Sequence, residues 1–533
     1  MPPPVLGCPS TSVRHGAVDK PHHPTCDTKY CKCCASWHYI WYNIAKPDGC
    51  DEMLTRREHM QLKMHSVTIE DMVPTDHFIR KLDAILDFSF IYEKVRNLYC
   101  ENNGRPSIDP VMIMKYLLLG FLFGVESERR IEQEIQVNMA YRWFLGLDID
   151  DRVPDHSTIS QLRRRKFKGT NLIKELFAHV LRQCAEAGLV GGKLLLTDST
   201  HIKANAAKMS KEKVEVEKDM TNYFERLDEY EAEERERLGM PDITRKTPEP
   251  KKTEQTKSVT DPDAGWLSRP NKPEGFHYLS HQTFDAKNGI IVDVAVTAGN
   301  ISDNVPFLDQ IGRCEEKLNA FNIEVEAVCA DSAYDTAIIH KEMETREITI
   351  YTPEKETSDS TKAEYKRDDF SYKQDTDEFV CPNGERLELR CLQRTESGVF
   401  REYRADTKIC SQCPDREKCL APSQISRKIQ VNIFQHIVDK HHLADNTPEF
   451  EAAMRKRQIL AEGTFAAQKA HHNLRRLLRR GIEAAEDHCL LSAIAINLKR
   501  LVKCTGRRQC ILFILDVFRL YRTQMAQHVV KCY

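Results

Sequence analysis

A chain of 533 residues leaves room for about two to four domains, and 41% hydrophobic with 30% charged residues is the make-up of a folded globular protein, not of a disordered or fibrous one. Its 78 Lys and Arg nearly cancel its 80 Asp and Glu, for a net charge of −2, so a globally basic surface is excluded and any DNA contact must come from local basic stripes. The longest apolar run, residues 111–125, is interrupted by Lys115 and is too short to span a bilayer, and the start of the chain lacks a basic-then-apolar secretory pattern. The sequence therefore predicts no membrane association and a cytoplasmic, reducing setting for its 19 cysteines.

Cys8, Cys26, Cys31, Cys33, Cys34 and Cys50 crowd into the first fifty residues, an aperiodic stretch rich in Pro and His whose spacing fits no standard zinc module. Residues 1–52 are read as an extension outside the main domains. Helical punctuation follows. Ile79, Leu82, Ile85 and Leu86 share one face of a first helix, and Asp109 and Pro110 form the N-cap and first position of another that stops at Gly124. Ser127 opens a third helix, carrying Ile131 and Ile135, which Gly146 closes. A fourth begins near residues 155–157 and ends in Arg163, Arg164, Arg165, Lys166 and Lys168. That basic end is either a solvated face or a helix-turn-helix-like grip on DNA phosphates.

Residues 194–196 are a short apolar run that reads as a strand buried on both faces, with Asp198 at its end. A buried carboxylate needs a partner: a backbone cap, an ion pair or a metal. The charged stretch 208–257 reads as an amphipathic helix (Val216, Met220, Tyr223, Phe224, Leu227, Tyr230) followed by a linker, TRKTPEPKKTEQTKS, with nothing to bury. Asn288-Gly289 predicts a hairpin between two β-rich segments, and Asp303 reads as a helix N-cap. A second buried run, residues 325–330, ends in Asp331. The long stretch after it holds Cys381 and then Cys410, Cys413 and Cys419, a C-x2-C with a third thiol close behind. This is compatible with a tetrahedral zinc site or an iron-sulfur cluster, or with plain reduced cysteines; Cys391 is unexplained by any of them. Glu462 then lies in a helical pattern with Lys469 two turns on, and residues 463–482 contain no acid, while Lys469, Arg475, Arg476, Arg479 and Arg480 all fall there. Leu491, Ile494, Leu498 and Leu501 mark a closing helix, and a tail from Cys504 reads as one more.

In their order and spacing these stretches resemble DDE transposases, the RNase-H-like enzymes encoded by bacterial insertion sequences. The resemblance begins near Met53. It is carried by RPSIDPVMIMKYLLLGFLFGVESERRIEQE from Arg105, PDHSTIS from Pro154, TDSTHIKANAA from Thr197, VTDPDA from Val259, HYLSHQTFDAKNGIIVDVAVTAGNISDN from His277, ADSAYD from Ala330 and AEGTF from Ala461. It implies an α/β fold: a helical N-terminal domain over 53–185 that binds DNA ends, and an RNase-H-like mixed sheet flanked by helices over 190–503. Insertions interrupt that sheet at 208–262 and, bearing the cysteines, at 355–445, and a tail follows at 504–533.

The resemblance places the catalytic triad on Asp198, Asp331 and Glu462, holding Mg²⁺ or Mn²⁺; the zinc expectation on Cys381, Cys410, Cys413 and Cys419 rests on their spacing alone. The resemblance implies double-stranded DNA, element ends and target, as partner, and a homodimer on that DNA. Contacts to DNA would come from Arg163, Arg164, Arg165 and Lys166, and from Lys469, Arg475, Arg476, Arg479 and Arg480. The family commonly has a Lys seven residues after its Glu, which Lys469 matches; the Arg expected four residues before it is Gln458 here, with Arg457 next door. Carboxylates suit the chemistry because hard divalent cations, which stabilise the attacking and leaving oxygens of a phosphodiester, take oxygen ligands. Two other readings stay open on sequence: a DNA-binding relative that does not cut, and a nuclease without strand transfer.

Overall fold

The computed structural model describes residues 66–100, 107–218, 221–243, 251–269, 274–355 and 363–505. Residues 1–52 and the tail from 506 on, about which the sequence made its own predictions, lie outside them. The first described part is helical, and its punctuation follows the sequence. Asp109 accepts a hydrogen bond from the Val111 N–H at 2.8 Å and opens the helix Pro110–Phe123, a cap worth about 1 kcal/mol. Gly124 ends that helix at φ 69°, where a side chain would be strained and a Cβ would also stand 2.9 Å from the His471 carbonyl oxygen. The helix is apolar almost all round, and it is buried accordingly. Ser127 caps Glu128–Val137 and Asp155 caps His156–Arg165, as their spacing predicts. The single helix expected between Ser127 and Gly146 is two, because the Asn138 side chain accepts from the Ala140 and Tyr141 N–H groups and restarts the chain as Met139–Leu145.

A mixed sheet follows. Strand β1 (Leu195–Lys203) runs antiparallel to β5 (Gly275–Asp285), which in turn pairs antiparallel with β4 (Gly265–Leu267) and β6 (Ile291–Ala298). On its other side β1 runs parallel to β7 (Ala327–Cys329), and β7 parallel to β8 (Thr349–Tyr351). β5 and β6 are the hairpin predicted at Asn288-Gly289, and with β1 they make three antiparallel neighbours. β5 is buried along its whole length. The turn into β1 needs Gly192, at φ 72°, because a Cβ there would fall 2.2 Å from the Glu324 carbonyl oxygen. Asp198 is not at the end of its strand but within it: pairing with β5 continues to Lys203 opposite His277. One hydrophobic core joins the N-terminal helices, this sheet and the closing helix over 482–505.

Two excursions leave the sheet. In the first, β2 (Lys211–Lys218) and β3 (Lys251–Ser258) form an antiparallel ribbon, and the helix Thr221–Arg237 lies between them in sequence. The second half of the expected linker is thus a strand, and Val216 belongs to β2 rather than to the helix. The ribbon needs no apolar core because backbone pairing and cross-strand pairs such as Lys213–Glu254 at 2.8 Å hold it. The second excursion is a five-stranded sheet, β9 (Ser371–Lys373), β10 (Glu378–Val380), β11 (Arg386–Thr395), β12 (Gly398–Ala405) and β13 (Lys428–Asn432), in spatial order β13-β12-β11-β10-β9. Leu227 of the first excursion packs with Leu392, Val399 and Ile433 of the second, and Arg401 bonds Glu234 at 2.7 Å.

The chain returns through the helices Gln435–His442 and Pro448–Arg457, a single π turn at Gln458–Glu462, and the helix Gly463–His471. The basic stretch expected on one helix is therefore broken at His471. Arg475 and Arg476 lie instead on an exposed turn at the end of β1, where the Lys203 N–H bonds the Arg475 carbonyl and the Leu477 N–H bonds that of Lys203 at 2.9 Å. Asn473 pins this turn to the N-terminal helices by bonding the Gly120 and Val125 carbonyls, each at 3.0 Å.

Candidate active site

β1 and β7 are parallel and in register at Leu195–Val328 and Leu196–Cys329, so Asp198 and Asp331 each lie two residues beyond the same rung. Asp331 caps the turn Ser332–Tyr334 by accepting from the Ala333 N–H at 2.9 Å. A third carboxylate, Asp303, comes from the loop after β6. It caps no helix, contrary to the sequence reading, because the next helix starts at Phe307 with Pro306 before it; Asp303 instead accepts from the Ser199 hydroxyl at 2.7 Å. Burial pushes the Asp198 carboxyl up to about 6. Arg457 and the Ser199 N–H pull it down without prevailing, and Asp331 and Asp303 push the same way as burial.

Arg457 faces these acids, its guanidinium 3.1 Å from Asp198, with the two side chains 14% and 16% exposed. It reaches there through the π turn. A π turn carries one more residue than an α turn, so Arg457, five residues before Glu462, takes the direction that a four-residue spacing has in a regular helix. The one-residue offset seen in the sequence is thereby compensated. Glu462 ends that turn, which packs against β1, and its side chain is exposed.

Two groups at the site were not legible in the sequence. The Tyr334 hydroxyl is buried beside Asp303, Asp331 and Asp198 with no hydrogen-bond partner among the described residues. His281 on β5 stands 4.0 Å from Asp303. Burial lowers its pKa to about 4 against the pull of Asp303, so it is neutral, and its Nδ1 has no hydrogen-bond partner among the described residues. Tyr334 lies in the SAYD that follows Asp331, and its place in a short polar motif was the signal available.

The two basic stretches meet across a cleft of about 790 Å³, lined among others by Arg164, Lys168, Arg479 and Arg480. Their members differ. Arg163 is only 12% exposed and paired with Glu128, so it is a structural residue and not a free phosphate contact. Arg164 and Arg165 are exposed, while Lys166 lies 3.7 Å over the Tyr99 ring. Arg479 bonds Asp487 at 3.2 Å, Arg480 bonds the Asn205 carbonyl at 3.0 Å, and Lys469 is half-buried on the helix Gly463–His471.

Cys381, Cys410, Cys413 and Cys419 line one small cavity of about 30 Å³, and Cys391, on β11, does not. Cys381 sits in the β10–β11 turn and the other three on two short helices, Thr407–Ser411 and Arg416–Cys419, and the turn between them. Burial raises the Cys419 thiol pKa, Arg427 opposes this, and the other three thiols add to it. Neither the four sulfurs nor the carboxylates of Asp198, Asp331, Asp303 and Glu462 close to that spacing: the clusters with at least three ligand atoms all within 4.8 Å of one another, among the described residues, are Asp335/His340/His442 and Glu132/Asp155/His156.

Family models match the chain twice, a Transposase domain (DUF772) over residues 67–165 and a Transposase DDE domain over residues 380–502. The protein is a transposase. It is of the DDE type, the second match containing Arg457, Glu462 and Lys469. No curated protein matches it. Among solved structures it is similar to a piggyBac transposase synaptic complex with hairpin DNA, at 9% identity over 80% of this chain and 75% of that one, with a TM-score of 0.34. Another is the Mos1 transposase paired-end complex with left transposon end, at 10% identity over 47% and 61%, with a TM-score of 0.15.

Proposed function

We propose that this transposase cuts DNA at the ends of an insertion sequence and joins the freed 3′ ends to target DNA, with Asp198, Asp331 and Glu462 as metal ligands on an RNase-H-like sheet. The observation that carries the reading is the under-neutralised acid cluster. Asp331 and Asp303 stand close enough to push the Asp198 carboxyl the same way as burial does, up to about 6, and Arg457 pairs with Asp198. Such a cluster fits a divalent ion, since an all-oxygen donor set with a buried orphan hydroxyl beside it suits Mg²⁺ or Mn²⁺. When bound, those ions would activate the attacking water or 3′-hydroxyl and stabilise charge on the attacking and leaving oxygens.

The chain's own groups do the rest. Asp198 and Asp331 offer oxygens from neighbouring strands, Glu462 from a turn against β1, and Asp303 orients the Ser199 hydroxyl beside them. Arg457 neutralises Asp198 in the metal-free protein, and its planar fork suits a phosphate once a cation replaces it there. Double-stranded DNA is held through phosphates by Arg164, Arg165, Lys168, Lys469, Arg475, Arg476, Arg479 and Arg480, in and beside the cleft between the helices and the closing turn. Four cysteines around one cavity support a structural zinc that stiffens the five-stranded sheet. Pairing two ends calls for a homodimer on DNA, and work on genomic DNA for a cytoplasmic protein.

Labelled end DNA and a target plasmid, incubated with the protein and Mg²⁺, test this. Cleaved ends joined to plasmid are expected. Binding without cleavage would leave a DNA-binding relative, and cleavage without joining a nuclease.

A further inference from the structure

A second polar cluster begins four residues after Asp331. Asp335 follows the Ser332–Tyr334 turn, His340 lies on the helix Ala337–Thr345, and His442 ends the helix Gln435–His442 that returns from the five-stranded sheet. Nε2 of His340 and Nε2 of His442 both face Oδ1 of Asp335, at 2.8 and 3.1 Å. These side chains are 1%, 14% and 8% exposed for His340, His442 and Asp335. Behind each donor atom stands a second partner. His442 Nδ1 is 2.7 Å from Oδ2 of Asp445, His340 Nδ1 is 2.8 Å from Nδ1 of His441, and Asp335 Oδ2 accepts from the Lys355 N–H at 2.8 Å.

As hydrogen bonds alone, His442 faces a carboxylate at both ring nitrogens, so both nitrogens donate. The two Nε2 atoms and Oδ1 also converge closely enough for one cation to take the place of the protons between them. Nε2 of each ring then offers its lone pair, His442 Nδ1–H still donates to Asp445, and His441 or His340 supplies the one proton between their facing nitrogens. Metal-bound histidines are commonly held by such a carboxylate or acceptor behind the ring, which fixes tautomer and orientation. The Thr352 hydroxyl, 3.4 Å from His340 Nε2, stands at the edge of the same space.

We infer that Asp335, His340 and His442 bind a divalent first-row transition cation, zinc in preference to magnesium because two of the three donors are imidazoles. The site is separate from the carboxylates of β1 and β7 and from the four cysteines. It fastens the helix returning from the five-stranded sheet to the segment that carries Asp331, and it stands whether or not the chain cleaves DNA.

Zinc-edge X-ray absorption on the full-length chain, purified without chelator and kept in excess Mg²⁺ to occupy oxygen sites, reads the ligands directly. The wild type is expected to show nitrogen and oxygen scatterers with the outer-shell signature of two imidazoles, alongside any sulfur shell from the cysteines. Asp335→Asn with His442→Gln should lose the imidazole signature and about one equivalent of zinc, the content of a single site. A wild-type spectrum with sulfur alone, or no zinc, overturns the inference without reference to any variant and leaves a charged hydrogen-bond network. Imidazole scattering retained in a soluble double variant overturns it as well.

Discussion

Two acid-bearing clusters that start four residues apart, at Asp331 and at Asp335, are built in opposite ways. Around Asp331 two further aspartates crowd in, with Arg457 paired to one of them, a tyrosine hydroxyl is buried with no hydrogen-bond partner among the described residues, and a histidine that could carry charge is held neutral by burial. Around Asp335 every donor and acceptor has a partner, and that partner is held in turn. Burial alone would raise the Asp335 carboxyl; the bond from His340, the Lys355 N–H and the charge of His442 outweigh it and hold it below the usual carboxylate range. The same burial wins at Asp198. The difference is between carboxylates crowded together under burial and a cluster whose donors and acceptors are matched.

The sharpest break in the comparison is at Asp198. Asp198→Asn keeps the shape and removes the charge, so strand cleavage should fall by about a thousandfold or more while gel-shift binding of end DNA persists. Asp331→Asn and Glu462→Gln should behave alike, and combining them should add little. Near-normal cleavage by one of these single variants would remove that residue from the ligand set and bring Asp303 forward.

Next in size is the N-terminal pair. Arg163→Ala strands Glu128 in a largely covered place and should lower unfolding stability by about 3 kcal/mol, read by denaturant melts, because breaking a buried pair leaves an uncompensated charge. An unchanged midpoint would return Arg163 to the DNA-contacting set.

The pH dependence of the metal-free protein sharpens the contrast further. The Asp198 carboxyl is raised to about 6, above an ordinary value of about 3.9, so in that window the folded state holds a proton that the unfolded state has lost. This contribution favours the fold at low pH and is lost as pH rises through about 6. Mg²⁺ competes with that proton, so it should raise the melting temperature more at pH about 7 than at pH about 5. Asp198→Asn should abolish that difference, and an equal Mg²⁺ effect at both values in the wild type would contradict the account. The smallest effect belongs to the exposed arginines: Arg164→Ala with Arg165→Ala should reduce the slope of log binding constant against log salt by about two, and an unchanged slope would make them plain solvent-facing charge.

Much of the scaffold was legible because short-range chemistry sets it. Asp109-Pro110, Ser127, Asp155 and Gly124 act within one helical turn of themselves, and the apolar runs before Asp198 and Asp331 are short enough to be strands, the second forming only over Ala327–Cys329, past the exposed Glu326. Reading 251–258 as a linker failed for the complementary reason. A ribbon of Lys, Glu and Thr is held by pairing with a strand that lies beyond an intervening helix, and no window of local sequence contains that partner. Within the basic cluster 163–165 the members differ in a way no local window shows, since only the crossing of two helices sets Arg163 against Glu128 and leaves Arg164 exposed.

By itself the sequence determined where most helices start and stop and which apolar runs become buried strands, because those depend on neighbours a few residues away. The tertiary structure decided what depends on distant pairing. Parallel register set Asp198 level with Asp331, and an extra residue in one helical turn swung Arg457 onto Asp198. The returning helix brought His442 to Asp335, more than a hundred residues earlier, a meeting that only the packed core could arrange.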